Sequence, residues 1–120
     1  MHPYERIQAW RLAHRLFLAV HHETASWPKR EWYGLTAQIR RSSFSVAANI
    51  VEGAAKRGST EYCRYLDISL GSLAETQYMW RVARDLGYVP PGSWAHVEGL
   101  SREAGKCLWG LARAVARLEG

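Results

Sequence analysis

The chain has 120 residues, room for one domain with one core, and with 48% apolar or aromatic residues it needs neither metal nor disulfide to fold. No run approaches the roughly 20 consecutive apolar residues that span a bilayer, and the opening MHPYERIQAWR lacks the apolar core of a signal peptide, which points to a cytoplasmic protein with no membrane partner. Sixteen Lys and Arg against eleven Asp and Glu give a formal +5, a balance that favours acidic partners such as RNA or DNA but that a GC-rich genome also produces without selection for binding.

In chain order, Ile7, Trp10, Ala13, Phe17 and Val20 recur at steps of three and four, with Arg6, Arg11 and Arg15 turned away. This predicts a first amphipathic helix over about 4–24. Ser26, Trp27 and Pro28 then interrupt it, since Pro disfavours a helical residue before it. His14, His21 and His22 lie on or beside this helix; adjacent histidines point in different directions, so they read as solvent- or partner-facing groups rather than metal ligands.

The second helix, about 33–57, organises the rest of the chain. At about 100° per residue, Leu35, Ile39, Val46 and Ile50 fall on one side and Phe44, Ala47, Ala48, Val51 and Ala55 roughly opposite. A surface helix needs one apolar stripe, so the second set is the candidate oligomer interface. Between them Gln38, Ser42, Ser45, Asn49, Glu52 and Lys56 form a polar row at spacings of four and three. Gly58 suits the left-handed residue after a helix end, Ser59 is the expected N-cap of the next helix, and Glu61 falls in its first turn.

The third helix, about 60–86, shows two seams. One is Tyr62, Leu66, Ser69, Leu73, Thr76, Trp80 and Ala83; the other is Tyr65, Ile68, Ser72, Glu75, Met79, Val82 and Leu86. Gly87 closes it, Pro90 and Pro91 break the chain, and Ser93 is the expected cap of a fourth helix over about 94–118, striped by Val97, Leu100, Ala104, Cys107, Leu108, Leu111, Val115 and Leu118. No alternating strand pattern or repeat competes. The fold class is therefore all-α, an antiparallel up-down-up-down four-helix bundle forming a single domain over 1–120. Helices two and three carry more apolar surface than one bundle covers, which predicts a homo-oligomer.

No phosphate loop, His-Glu-x-x-His, Gly-x-Ser-x-Gly or Glu-x-x-His di-iron pattern is present, so the expectation is a non-enzymatic protein with no cofactor and no metal. Cys63 and Cys107 stand alone within periodic segments and read as thiols rather than a disulfide. Asn49 and Glu52 with Ser72 and Glu75 place two carboxylates where acid and base work is conceivable. The reading adopted is structural: with Gln38, Arg41 and Ser45 they form a polar row that hydrogen-bonds across the helix pair and fixes register. Aromatic residues at helical spacing read as core or interface, as for Trp10 and Trp80 on apolar stripes; of the six Trp only Trp27, Trp32 and Trp94, near predicted loops at one end, stay open as base-stacking platforms. An up-down-up-down bundle brings Arg6, Lys56, Arg57, Arg64, Arg113 and Arg117 to one end, partly offset by Glu5, Glu61 and Glu119. That end either meets nucleic-acid phosphate or holds cations that favour helix dipoles, an account that covers Lys56, Arg57, Arg113 and Arg117.

The stretch LTAQIRRSSFSVAANIVEGAAKRGSTEYCRYLDISLGSLAE resembles the core of the four-helix S23 ribosomal proteins, also called 23S rRNA intervening-sequence proteins. The matching residues are Leu35, Gln38, Arg41, Ser45, Ala48-Asn49-Ile50, Glu52-Gly53, Tyr65-Leu66, Gly71-Ser72 and Glu75; Ser42-Ser43 and Val51 stand where that family often has alanine. The resemblance implies a bundle that closes into a ring, a homopentamer. The chain also looks distantly like the accessory protein of diversity-generating retroelements, a basic pentameric bundle that binds a reverse transcriptase and nucleic acid. The leading expectation is association with nucleic acid or a ribonucleoprotein. The alternative is a protein-interaction scaffold, for example an accessory subunit of a partner enzyme such as a reverse transcriptase, without direct nucleic-acid binding.

Overall fold

A computed structural model describes residues 1–118. Helix α1 covers Gln8–Thr24, α2 Leu35–Ala54, α3 Ser59–Asp85 and α4 Pro91–Arg117, with 3-10 turns at Pro3–Arg6 and Lys29–Glu31 and no strand among the described residues. At 1.5 Å per residue the 27-residue α3 and α4 run about 40 Å, which sets the long axis of a 46 × 27 × 25 Å particle. Each helix packs on two others: α1 and α3 both touch α2 and α4, and the α2–α3 contact is the most extensive.

Several helix ends differ from expectation, each for a local reason. Pro3 sets a 3-10 turn, so α1 begins at Gln8 rather than near Tyr4. Helix α2 begins at Leu35, whose N–H is accepted by the Glu31 carboxylate at 3.3 Å, and it ends at Ala54 rather than Arg57. Gly58, at φ +84°, is itself the N-cap of α3; Ser59 is already helical and caps nothing. Pro91 is the first residue of α4, because the N–H that proline lacks would be unpaired in a first turn anyway. Ser93 therefore lies inside that turn and is not its cap.

The core uses Leu16, Val20, Ile39, Val46, Ile50, Leu66, Trp80, Val97 and Leu108, all fully buried. In α1 the inward residues are Ala9, Leu12, Ala13, Leu16, Val20 and Thr24, so Trp10 and Phe17 sit beside the core rather than in it. In α3 the first seam faces inward from Leu66 to Ala83, whereas the second is divided: Ile68, Glu75 and Leu86 are exposed, Tyr65, Ser72 and Val82 half-buried, and Met79 buried.

Candidate functional site

Helices α2 and α3 meet along small and hydroxylated side chains, which lets their backbones come close. The Ser42 and Thr76 hydroxyls lie 2.7 Å apart, those of Ser45 and Ser72 2.8 Å apart, and Ser69 donates to the Val46 carbonyl at 2.6 Å. Each hydroxyl has one hydrogen. Both hydroxyls also reach a carbonyl of their own helix, Thr76 that of Ser72 at 2.8 Å and Ser42 that of Ile39 at 3.2 Å, so either can supply the hydrogen between them. Asn49 donates through Nδ2 to both the carbonyl and the hydroxyl of Ser45, at 2.8 and 2.9 Å. Near the end of α2, buried Gly53 faces Tyr62 and Tyr65. Burial pushes the Tyr62 phenol above its ordinary value of 10.0.

The rest of the expected polar row lies outside this seam. Gln38, Arg41, Glu52 and Glu75 are exposed and make no side-chain hydrogen bond or ion pair with another described residue. The row runs along the rim of the buried arc: at 100° per residue Arg41 and Glu52 lie about 100° and 80° around the helix from buried Ser42. The two carboxylates consequently share no enclosed site.

On the opposite face of α2 the set proposed as an interface divides. Ala47 is 8% exposed and packs into this bundle's own core, and it also lines the groove beside Phe44, Ala48 and Val51. Phe44 is 57% exposed and meets Phe17 edge to face at 5.7 Å, Ala48 and Val51 are half-buried, and Ala55 is exposed. Phe44, Ala48 and Val51 line an apolar groove between α1 and α2 together with Tyr4, Trp10, His14 and Phe17, while Ala55 lies in an adjoining depression under the 3-10 turn. Rings stack or meet along it, Tyr4 to Trp10 at 4.9 Å and Trp10 to His14 at 5.0 Å. The sequence signal for this aromatic edge was the spacing of four, three and four through Trp10, His14, Phe17 and His21, masked because Trp10 and Phe17 fit the core stripe equally well.

Arg6, Lys56, Arg57, Arg64, Arg113 and Arg117 are all exposed. The 3-10 turn lies against the end of α2, with His2, Pro3 and Tyr4 beside Val51, Ala54 and Ala55. The Lys56 ammonium sits 5.3 Å from the Tyr65 ring centroid, which places the α2 end against the α3 start. Arg64 pairs with Glu61 at 3.4 Å on the open surface, a contact of little net strength. Glu5 accepts the His2 N–H at 3.2 Å, and Glu119 lies outside the described residues. Lys56 and Arg57 follow the end of α2, and Arg113 precedes the last turn of α4, so only Arg117 occupies a final helical turn.

The tryptophans expected near loops have separate settings. Trp27 is buried at 4% and stacks on Trp80 at 6.2 Å, which removes it as a base platform. Trp94 also stacks on Trp80, at 6.0 Å, with the Arg84 guanidinium 4.1 Å from its own ring centroid, and Trp32 is exposed. Sequence reasoning missed two ties. Arg40 donates to the Thr24 hydroxyl at 2.8 Å and the His21 carbonyl at 3.1 Å, fastening α2 to the end of α1. The Tyr88 hydroxyl donates to Glu31 at 2.8 Å and, with the Leu35 N–H, holds the Glu31 carboxyl below its ordinary value of 4.5. Cys63 and Cys107 are half-buried and form no disulfide. No group of three or more His, Cys, Asp or Glu among the described residues could hold a metal ion, and no described helix is long and apolar enough to cross a membrane.

A family model described as 23S rRNA-intervening sequence protein matches residues 5–110. Among solved structures, a protein of unknown function from the S23 ribosomal protein family of Bacteroides thetaiotaomicron superposes with a TM-score of 0.78 at 20% identity, covering 88% of this chain and 95% of that one. At that identity the likeness establishes the fold. No curated protein matches the chain.

Proposed function

The chain belongs to the 23S rRNA-intervening sequence protein family, and from that premise we propose that it is a cytoplasmic, non-catalytic protein that associates with RNA, DNA or a ribonucleoprotein through its basic end. The bundle is antiparallel, up-down-up-down, and closes with copies of itself into a ring, a pentamer. Supporting the antiparallel order, contacts pair rising numbers on α2 with falling numbers on α3, from Ser42 with Thr76 to Gly53 with Tyr65. Supporting the ring, Phe44, Ala47, Ala48 and Val51 line an apolar groove along α1 that no described residue fills.

The observation that carries the nucleic-acid reading is the placement of the cations. Dipoles favour cations at helix C-termini, which covers Lys56 and Arg57 just past the C-cap of α2 and Arg117 in the last turn of α4, yet Arg113 precedes that turn and Arg64 lies near the N-terminus of α3, where the dipole is unfavourable to a cation. Dipoles therefore account for only part of this end, and the remaining exposed cations support a phosphate partner. A ring repeats the patch in one direction and multiplies its field. Binding should show little sequence preference and a log-log salt slope of roughly −0.9 per duplex phosphate neutralised. Lys56→Glu with Arg57→Glu should flatten that slope and leave the particle size by light scattering unchanged. No binding to single or double strands at about 50 mM salt, where electrostatic association is favoured, would overturn the reading. The exposed Phe44, Ile68 and Tyr78 favour the alternative, a scaffold for a partner protein, which predicts that charge reversal leaves partner capture intact.

A further inference from the structure

The outer face of α4 carries a pattern that the basic end does not absorb. Val97, Ser101, Ala104, Leu108 and Val115 point into the bundle and are buried. Opposite them Arg102, Lys106, Trp109, Arg113 and Arg117 recur at spacings of four, three, four and four, all exposed, with Trp109 open by 58%. Two further positions in that sector, Ala95 and Gly99, are small, and nothing lies within 4 Å of where a Gly99 Cβ would stand. The acids alongside are Glu98, which pairs with Arg102 at 3.2 Å, and Glu103 at the edge of the stripe. Lys106, Trp109 and Arg113 line one shallow depression.

A large indole lying between two cations, each about one helical turn away, stands outside the apolar core with more than half of its surface in water. Four residues of helix rise about 6 Å, so the cations form a track suited to a chain of charges rather than to one compact anion. The indole between them offers a π face, which a base can cover only when that base is not already stacked in a duplex. We propose that this face is a strip for single-stranded nucleic acid. Trp109 stacks on one base, Lys106 and Arg113 neutralise the flanking phosphates, and Arg102 and Arg117 extend the track. The inference rests on the nucleic-acid reading above, since Arg113 and Arg117 belong to both surfaces, and adds the strand type and the stacking residue.

The test is fluorescence anisotropy with labelled oligo(U), oligo(dU) and a duplex, each about 20 nucleotides, long enough for more than one site. Trp109→Ala should weaken single-strand binding by about 5- to 150-fold, the range for one stacked base, leave duplex binding unchanged, and be largely rescued by Trp109→Tyr. Lys106→Ala and Arg113→Ala should each flatten the single-strand salt slope by about 0.7. A preference for oligo(U) over oligo(dU), which differ only in the 2′-hydroxyl, assigns the strip to RNA, and the reverse assigns it to DNA. If Trp109→Ala binds single strands as the parent does while Lys56→Glu with Arg57→Glu loses binding, the strip is wrong and the basic end stands. If Trp109→Ala changes particle size, the face is a contact between copies and the strip is equally wrong. If the parent binds no nucleic acid, both readings fall.

Discussion

Gly53→Ala and Gly71→Ala make the same chemical change within two packed helices and should have opposite signs. A Cβ on Gly53 would lie 2.8 Å from Tyr65 Cβ and 3.0 Å from Tyr62 Cδ1. Ordinary contact begins at 3.4 Å, so α2 and α3 must part locally by about 0.6 Å, the difference between those distances. Tyr65 Cβ is bonded to the α3 backbone and cannot swing aside. Overpacking of this kind costs about 1–3 kcal/mol, offset by up to about 1 kcal/mol of helix propensity gained over glycine. Gly71 lies on the exposed side of α3 with nothing within 4 Å of its Cβ position, so its substitution collects the propensity gain alone. Gly71→Ala should therefore stabilise by about 0.5–1 kcal/mol and Gly53→Ala destabilise by about 1 kcal/mol, leaving a gap of about 2 kcal/mol that isolates the contact with Tyr65. Urea unfolding followed by far-UV circular dichroism measures it, at one fixed protein concentration because assembly shifts apparent stability. Equal stabilisation by the two alanines would refute the close approach of α2 and α3.

In a double-mutant cycle, Ser42→Ala and Thr76→Val should couple by about 1 kcal/mol, the net worth of one buried hydrogen bond; additive effects in urea unfolding would show that the 2.7 Å contact contributes nothing. Hydrogen bonds from Tyr88 and then the Leu35 N–H depress the folded pKa of Glu31 below its ordinary 4.5, so its contribution to stability is present above about pH 4.5 and lost as the pH falls through the lower folded value. Tyr88→Phe should accordingly reduce the loss of stability on acidification, read as the shift of the urea midpoint between pH 6 and pH 3; an unchanged acid dependence would exclude this pair as its source.

The four helices were legible because their evidence is periodic and local. Leu66 to Ala83 in α3 and Val97 to Val115 in α4 declare inward faces by spacing alone, and Gly58 announced the turn before α3 by its need for positive φ. The family resemblance through Ala48-Asn49-Ile50 and Glu52-Gly53 was equally local, a run of residue types that agrees with the family match over residues 5–110. Pro91 shows the limit of local signals: the same proline ends a helix or opens one, and only the chain around it decides which.

What the sequence by itself determined was the number of helices, their approximate extents and which residues are apolar on more than one face. Tertiary structure alone decided which of two plausible faces is covered, because burial depends on where a neighbouring helix lies and not on periodicity. Ala47 and Trp27 went into the core while Phe44 and Ile68 stayed out. It also decided the polar row: Ser42 and Glu52 share an edge of α2, but α3 reaches only the first, and a rotation of about 80° separates a buried hydrogen bond from an exposed charge.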